Sequence, residues 1–334
     1  MNTKKLIRVA ASIVLFLVLC SCTPMGAEEI VPSQTATPKG TAAAETPMST
    51  AALTLQPSPM PTLGASAKPS DIPMPTPSTT WGAKFVGKFT YGEVIQTDSS
   101  YISEHVNVSI NKVQEDGLTY YLADIYITDL KYFISPFSDG GYYKGERKFV
   151  YKIAREINAV VAINGDYYAE NAGPILRDGI LYRNEVKCDI LIMFKDGTMK
   201  TYSSNEYDED SIAAMQDNVW QIWTFGPMLL KDGEPLTEFD FSKNVGGINP
   251  RSVIGYYEPG HYLFVTVDGR QPGYSDGLNM QELSQLMYEL GCRVAFNLDG
   301  GGTAQMAYLG EEISQPSVHR KTRDALCIVD EPAP

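Results

Sequence analysis

Apolar and polar positions alternate with period two along Val106-Asn107-Val108-Ser109-Ile110, and aromatic and β-branched residues crowd Tyr120 to Ile127. Both patterns predict strands with one face turned to a core. Asp-Gly pairs at 116–117, 178–179, 196–197 and 232–233 punctuate the chain as turns. Ile190–Phe194 and Thr198–Tyr202 around Lys195-Asp196-Gly197 read as one hairpin, and Ser252–Tyr257 and Tyr262–Val267 around Glu258-Pro259-Gly260 as another. Two helices interrupt this pattern. Phe149, Ile153 and Ile157 recur at helical spacing, as do Leu283, Leu286, Met287 and Leu290. The second helix is framed by an Asn279 cap, Glu282 at the capping-box position and Gly291 at its end. Each helix leads into a short apolar strand that ends Asn-x-Asp: Val160 to Ile163 runs into Asn164-Gly165-Asp166, and Val294 to Phe296 into Asn297-Leu298-Asp299. The two endings are expected side by side on one sheet edge. Hairpins together with two helix–strand units predict an α+β fold of mixed β-sheets with flanking helices, since a doubly wound fold needs more alternating helices.

The first 80 residues are different material. Lys4, Lys5 and Arg8 precede an apolar run, Ile13 to Leu19, that is too short to span a bilayer. Leu19-Cys20-Ser21-Cys22 resembles a bacterial lipobox, which implies cleavage before Cys22 and lipid on its thiol; ordinary secretory cleavage is the alternative. Residues 23–80 are rich in Pro, Thr, Ser and Ala and cannot bury enough apolar surface to offset ordering entropy. They are expected to form a disordered, semi-rigid stalk. The organisation expected is a signal with lipobox (1–22), a linker (23–80), a β-rich part (81–144) and a single catalytic domain (145–330). Residues 1–80 hold five of the 27 basic and four of the 40 acidic residues, so the remainder is more acidic than the whole chain at −13. Nucleic acid is not an expected partner. Cys188, Cys292 and Cys327 have no C-x-x-C spacing, and His105, His261 and His319 no metal-ligand spacing, so neither a disulfide framework nor a zinc site is suggested.

Chemistry is concentrated where Asn297-Leu298-Asp299 meets Gly300-Gly301-Gly302-Thr303. Consecutive glycine N–H groups can form an anion-binding nest beside the acid; a tight turn with a capping Asp is the plainer alternative. Five segments in order, Asn164-Gly165-Asp166-Tyr167-Tyr168, Phe225-Gly226-Pro227-Met228-Leu229-Leu230, Asn249-Pro250-Arg251-Ser252, Val267-Asp268-Gly269-Arg270 and Asn297 to Gly302, resemble the phosphodiester glycosidase family, which includes a lysosomal uncovering enzyme. The resemblance covers roughly residues 145–330. It implies hydrolysis of the bond between a sugar's anomeric carbon and a phosphodiester oxygen.

The residue types suit that chemistry. A guanidinium binds a phosphodiester through paired hydrogen bonds, which makes Arg251 and Arg270 the phosphate-binding candidates. Carboxylates stabilise or attack an oxocarbenium-like centre, and Asp299, Glu282 and Asp268 are the catalytic candidates. Glu282 has a full alternative role in the helix cap, and Asp268 in an Asp-Gly turn. Asn164, Asp166, Asn297, Gly300, Gly301, Gly302 and Thr303 complete the expected binding set, the glycines as backbone donors to developing negative charge. Tyr167, Tyr168, Trp220 and Trp223 could stack on sugar faces or serve as packing. A divalent cation, Ca²⁺ or Mg²⁺, is left open. The expected setting is a bacterial cell surface, with the chain lipid-anchored and facing outward, or secreted, acting on a phosphate-linked glycan or cell-wall polymer. The alternatives are a metal-dependent P–O phosphodiesterase and a non-catalytic glycan-binding module.

Overall fold

The Asp116-Gly117 turn shows how the β-pattern is realised. Both residues have positive φ, 45° and 77°. This is the backbone a two-residue hairpin with right-handed twist requires. It joins strands Val106–Glu115 and Leu118–Ile127 in register from Val106 opposite Ile127 to Glu115 opposite Leu118. A computed structural model describes residues 80–143, 145–169, 173–239 and 243–332. The segments expected to be a signal with the Cys22 lipobox and a stalk lie, up to residue 79, outside the described residues.

Three sheets make up the described chain. The large sheet has nine strands in the order 95–96, 100–102, 106–115, 118–127, 261–267, 251–258, 294–297, 228–231 and 234–235. The second has five, in the order 199–202, 190–194, 219–223, 175–177 and 180–183. The third also has five, in the order 311–312, 306–308, 159–164, 325–329 and 133–134. The strand Leu118–Ile127 pairs along its length with His261–Val267. The strands between 95 and 127 are therefore built into the large sheet, and strand 133–134 into the third. Every pairing in all three sheets is antiparallel. This corrects the expectation of mixed sheets: the fold is mostly antiparallel β with a few short helices.

The inner faces of the sheets share one core. Ile125, Ile254, Phe264 and Phe296 come from the large sheet, Leu191, Met193 and Trp223 from the second, and Ile163, Met306, Leu326 and Ile328 from the third. Each outer face carries one helix. Met280–Glu289 lays Met280, Leu283 and Met287 on Leu229, Val253 and Val265 of the large sheet. Val150–Glu156 packs Val150, Ile153 and Ala154 on the small residues Ala162, Ala307 and Ala325 of the third, where alanines let the helix sit close. Glu209–Met215 covers the second through Ile212. The helix at 280 is capped as its sequence predicts: Asn279 and Glu282 exchange side-chain and backbone hydrogen bonds, and Gly291 (φ 78°) turns the chain after Leu290. The N–H of Gly291 donates to Tyr288 O and that of Cys292 to Met287 O, a Schellman pattern.

Candidate active site

The two Asn-x-Asp endings do meet, but on different sheets. Strand 159–164 belongs to the third sheet and strand 294–297 to the large one. Asn164, fully buried, stitches them: its Nδ2 donates to Asp299 O at 2.7 Å and to Gly165 O at 3.1 Å. Its Oδ1 accepts from Ser252 Oγ at 2.6 Å and from Gln305 N at 3.3 Å. All four hydrogen bonds stay within the protein, so Asn164 builds the site and does not reach out to a sugar. Asn297 is likewise buried; its Nδ2 donates to Gly226 O at 2.7 Å and holds the 225–227 turn.

At this seam lies a cleft of about 150 Å³, lined by Phe225, Val245, Asn249, Arg251, Arg270, Asp299, Gly300, Gly301 and Arg320. Among the described residues its ionisable groups are three guanidiniums and one carboxylate. Arg251 starts strand 251–258 and is only 3 % exposed. It donates from Nε to Leu278 O at 2.9 Å and from a terminal nitrogen to Gly247 O, and it forms no ion pair among the described residues. Burial, and then the neighbouring charge of Arg270, push its pKa down to about 10. A buried cation held only by carbonyls is costly; an anion in the cleft would relieve it. Arg270, exposed and at φ 58°, is aimed by Asn249, whose Oδ1 accepts from its Nε (3.1 Å) and a terminal nitrogen (2.6 Å). It too lacks a carboxylate partner among the described residues.

Asp299 is 5 % exposed. Its Oδ1 accepts from Gly300 N at 2.9 Å and its Oδ2 from Thr303 Oγ at 2.6 Å, and Arg320 approaches both oxygens at 3.3 and 3.4 Å. Burial raises its pKa, while Thr303, Arg320 and Gly300 act in the opposite direction. Two of the glycine N–H groups are already spent, Gly300 on Asp299 and Gly301 on Pro250 O at 3.0 Å. The expected row of free backbone donors at Gly300–Gly302 is thereby corrected. The glycines serve close approach instead: a Cβ on Gly300 would stand 2.7 Å from Pro250 O, and one on Gly302 2.8 Å from Val318 O.

Other expected site residues stand elsewhere. Glu282 is exposed and its carboxylate is occupied by the Asn279 N–H at 2.9 Å, so its place is the helix cap. Asp268 is buried outside the cleft lining, where it accepts from Tyr274 Oη at 2.8 Å and from Gln315 N at 3.0 and 3.2 Å. It pins the 268–276 loop to the 315 segment. Asp166 lies behind the cleft, paired at 2.9 Å with Arg177, which also contacts Asp324 at 3.1 Å; all three are 0–1 % exposed. Asp166 also accepts from Thr224 N at 2.7 Å. That bond and the Asn297 bond flank Phe225 at φ 106°, a conformation rare for a residue with a Cβ. Trp220 and Trp223 are core residues, their indoles bonded to Phe133 O (2.9 Å) and Ser135 Oγ (3.0 Å). Tyr168 is buried against Phe137, and Tyr167 lies under the Arg147 guanidinium. None of these four lines the cleft. Cys292 is buried, with its thiol pushed up to about 12, which suits packing and not nucleophilic attack. Arg320, Asn249, Phe225 and Val245 are the cleft residues that residue-by-residue reasoning passed over. Asn249 and Phe225 lie inside quoted motifs; Arg320 sits in a polar loop with no pattern to mark it. Among the described residues no group of three or more acidic, histidine or cysteine side chains is arranged to hold a metal. The cleft's one carboxylate has both oxygens engaged, a poor donor set for a hard cation.

The family model for phosphodiester glycosidases matches residues 157–329, just over half of the chain. The chain belongs to the phosphodiester glycosidase family. Among similar members is the SPbeta prophage-derived uncharacterized protein YomE of Bacillus subtilis, 32% identical over 193 residues, which are 54% of this chain and 30% of that protein. Human N-acetylglucosamine-1-phosphodiester alpha-N-acetylglucosaminidase is 28% identical over 204 residues, 56% of this chain and 39% of the human protein. The matches thus span only about a third of these relatives' length. The zebrafish N-acetylglucosamine-1-phosphodiester alpha-N-acetylglucosaminidase catalytic domain, auto-inhibited by its pro-peptide, superposes with a TM-score of 0.56 at 23% identity, over 73% of this chain and 86% of that one. A hypothetical protein from Synechocystis gives a TM-score of 0.53 at 14% identity, over 71% and 64%. At these identities both structures speak for a shared fold alone.

Proposed function

We propose that the chain is a hydrolase that cleaves the bond between a sugar anomeric carbon and a phosphodiester. The observation that carries this reading is Arg251, a buried guanidinium with no carboxylate partner among the described residues, facing the same cleft as the Asp299 carboxylate. Arg251 and Arg270 bind the phosphate and Asp299 faces the anomeric carbon. Glycosidases commonly use two carboxylates, one of them to protonate the leaving oxygen. A phosphate is a good leaving group without that proton, so a single carboxylate with guanidiniums opposite is a sufficient set. Glu282 and Asp268 have structural places and are not assigned to the chemistry. Thr303 and Arg320 orient Asp299 and act against the upward pull of burial on its pKa.

The test is hydrolysis of a sugar-1-phosphodiester in ¹⁸O-labelled water by the purified chain. Label in the sugar hemiacetal supports the reading, and label in phosphate supports P–O cleavage instead. Turnover that survives both Asp299→Asn and Arg251→Ala removes the site assignment. For the setting, we propose a chain held at a bacterial surface through Cys22, acting on a phosphate-linked glycan or wall polymer. A Cys22→Ala chain that still fractionates with membranes would refute that anchor.

A further inference from the structure

The cleft's charges do not match a phosphodiester. Among the described residues, Arg251, Arg270 and Arg320 stand against Asp299 alone, and no other ionisable side chain lines the cleft. Arg320 is committed to Asp299. That leaves Arg251 and Arg270 uncompensated, and burial of the first makes its charge hard to screen with water. Among the described residues, the buried acids nearby do not supply the missing charge. Asp268 is turned to Tyr274 and Gln315, and Asp166 and Asp324 close on Arg177. A phosphodiester brings one negative charge; a phosphate monoester above its second pKa of about 6 brings two.

We propose that this cleft is a site for a phosphate dianion, so that it holds the monoester product more tightly than the diester substrate. This rests on the reading that the chain cleaves sugar–phosphodiester bonds. The step balances as follows. The bond from the anomeric carbon to the phosphate oxygen breaks and its electron pair stays on that oxygen. Water supplies OH to the carbon, and the proton of that water passes to solvent when the monoester remains a dianion. Negative charge on phosphate therefore grows from one to two as the bond opens, in step with the two uncompensated guanidiniums. The same match that favours bond breaking holds the product, and phosphate monoesters, inorganic phosphate included, act as competitive inhibitors.

The experiment is calorimetric binding to the full chain with two probes, methyl phosphate and dimethyl phosphate, at pH 5 and pH 7.5. At pH 7.5 methyl phosphate binds tighter on the order of tenfold or more, since it adds one full charge beside a buried guanidinium. At pH 5 it carries about one charge and the advantage shrinks. Protonation of Asp299 on the acid side would make the cleft more positive and oppose that trend, so Asp299→Asn is run in parallel and shows the larger pH effect. Arg270→Ala, an exposed position that does not threaten folding, lowers the preference, and Arg251→Lys lowers it further. Equal binding of the two probes at pH 7.5, or a preference unchanged in Arg270→Ala and Arg251→Lys, overturns the proposal. Dianion preference without cleavage of any sugar-1-phosphodiester would leave this inference standing and remove the proposed reaction. Cleavage without dianion preference would do the reverse.

Discussion

Asp324→Asn tests the electrostatics behind the cleft. Two carboxyls, Asp166 and Asp324, share one guanidinium, Arg177, and none of the three reaches solvent. With both acids ionised the group would bury a net negative charge, which is expensive. One proton cancels it. Burial, and then the neighbouring Asp166 charge, push the Asp324 carboxyl up to about 7, against 3.8 for the free group. The sign follows from proton counting. Between about pH 4 and pH 7 the folded chain holds this proton and the unfolded chain releases it, so this group's stabilisation is complete below about pH 4 and is lost as pH rises to 7. The difference corresponds to ~4 kcal/mol as a ceiling. In a folded part of this size, 1 kcal/mol moves Tm by about 2–4 °C, so the effect is on the order of 10 °C. Asparagine has the shape of the protonated acid, can still accept from Arg177, and cannot ionise. Thermal melts of both proteins at pH 4.5 and 7.5 read the difference directly. The buried acids Asp178, Asp268 and Asp299, whose pKa values are raised in the same direction, are present in both chains and cancel. The variant should gain on the parent by several degrees between the two pH values. A Tm gap that is the same at pH 4.5 and 7.5 means that no proton is shared there.

Three further substitutions separate structure from chemistry. Gly300→Ala drives a Cβ to 2.7 Å from Pro250 O, a backbone atom that cannot step aside cheaply, so hydrolysis should fall at least tenfold while Gly87→Ala, with open space around it, leaves turnover unchanged; equal activity of the two would remove close packing as the reason for Gly300. Glu282→Gln should leave kcat within about twofold and cost about 1 kcal/mol or less of stability through the cap; a loss of turnover with Tm intact would return Glu282 to the chemistry. Thr303→Val removes the 2.6 Å hydrogen bond that opposes the upward shift of Asp299; the acid limb of kcat/KM against pH should move to higher pH, and an unmoved limb would show that Asp299 ionisation does not govern the rate.

Local pattern was enough to locate much of the fold. Alternation found the hairpin strands, Asp116-Gly117 supplied the turn backbone, and Asn279 with Glu282 and Gly291 bounded the helix at 280–289. Pairing direction was not legible. Strands 159–164 and 294–297 follow helices, are buried throughout and are apolar up to their final asparagine, as parallel strands usually are. Here the same composition arises because a helix covers one face and the shared core the other, while every neighbour runs antiparallel. The site was legible in residue type more than in direction. Asp268 and Arg270 lie two residues apart, yet the carboxylate turns to Gln315 N and the guanidinium to the cleft. No period or motif encodes such a divergence inside a loop, and none marks Arg320, whose role depends on a backbone bond from its N–H to Gly302 O.

A guanidinium such as that of Arg251 could not be buried at an arbitrary place in this molecule. Inside a sheet its N–H groups would face other N–H groups or side chains, and the charge would remain unanswered. At the seam two sheets end together and bring the carbonyls of Gly247 and Leu278 within reach of it, the second also accepting from Asn249 N at 3.2 Å. Those carbonyls take two of its N–H donors and leave its charge without an ion-pair partner among the described residues. The same seam needs Asn164 to hold the strand ends and glycines at 300 and 302 to let three segments crowd together. Structure and chemistry are therefore coupled there: the irregular backbone that makes the cleft also supplies a cation that is hydrogen-bonded yet electrostatically unpaired, the condition under which a phosphate gains most by entering.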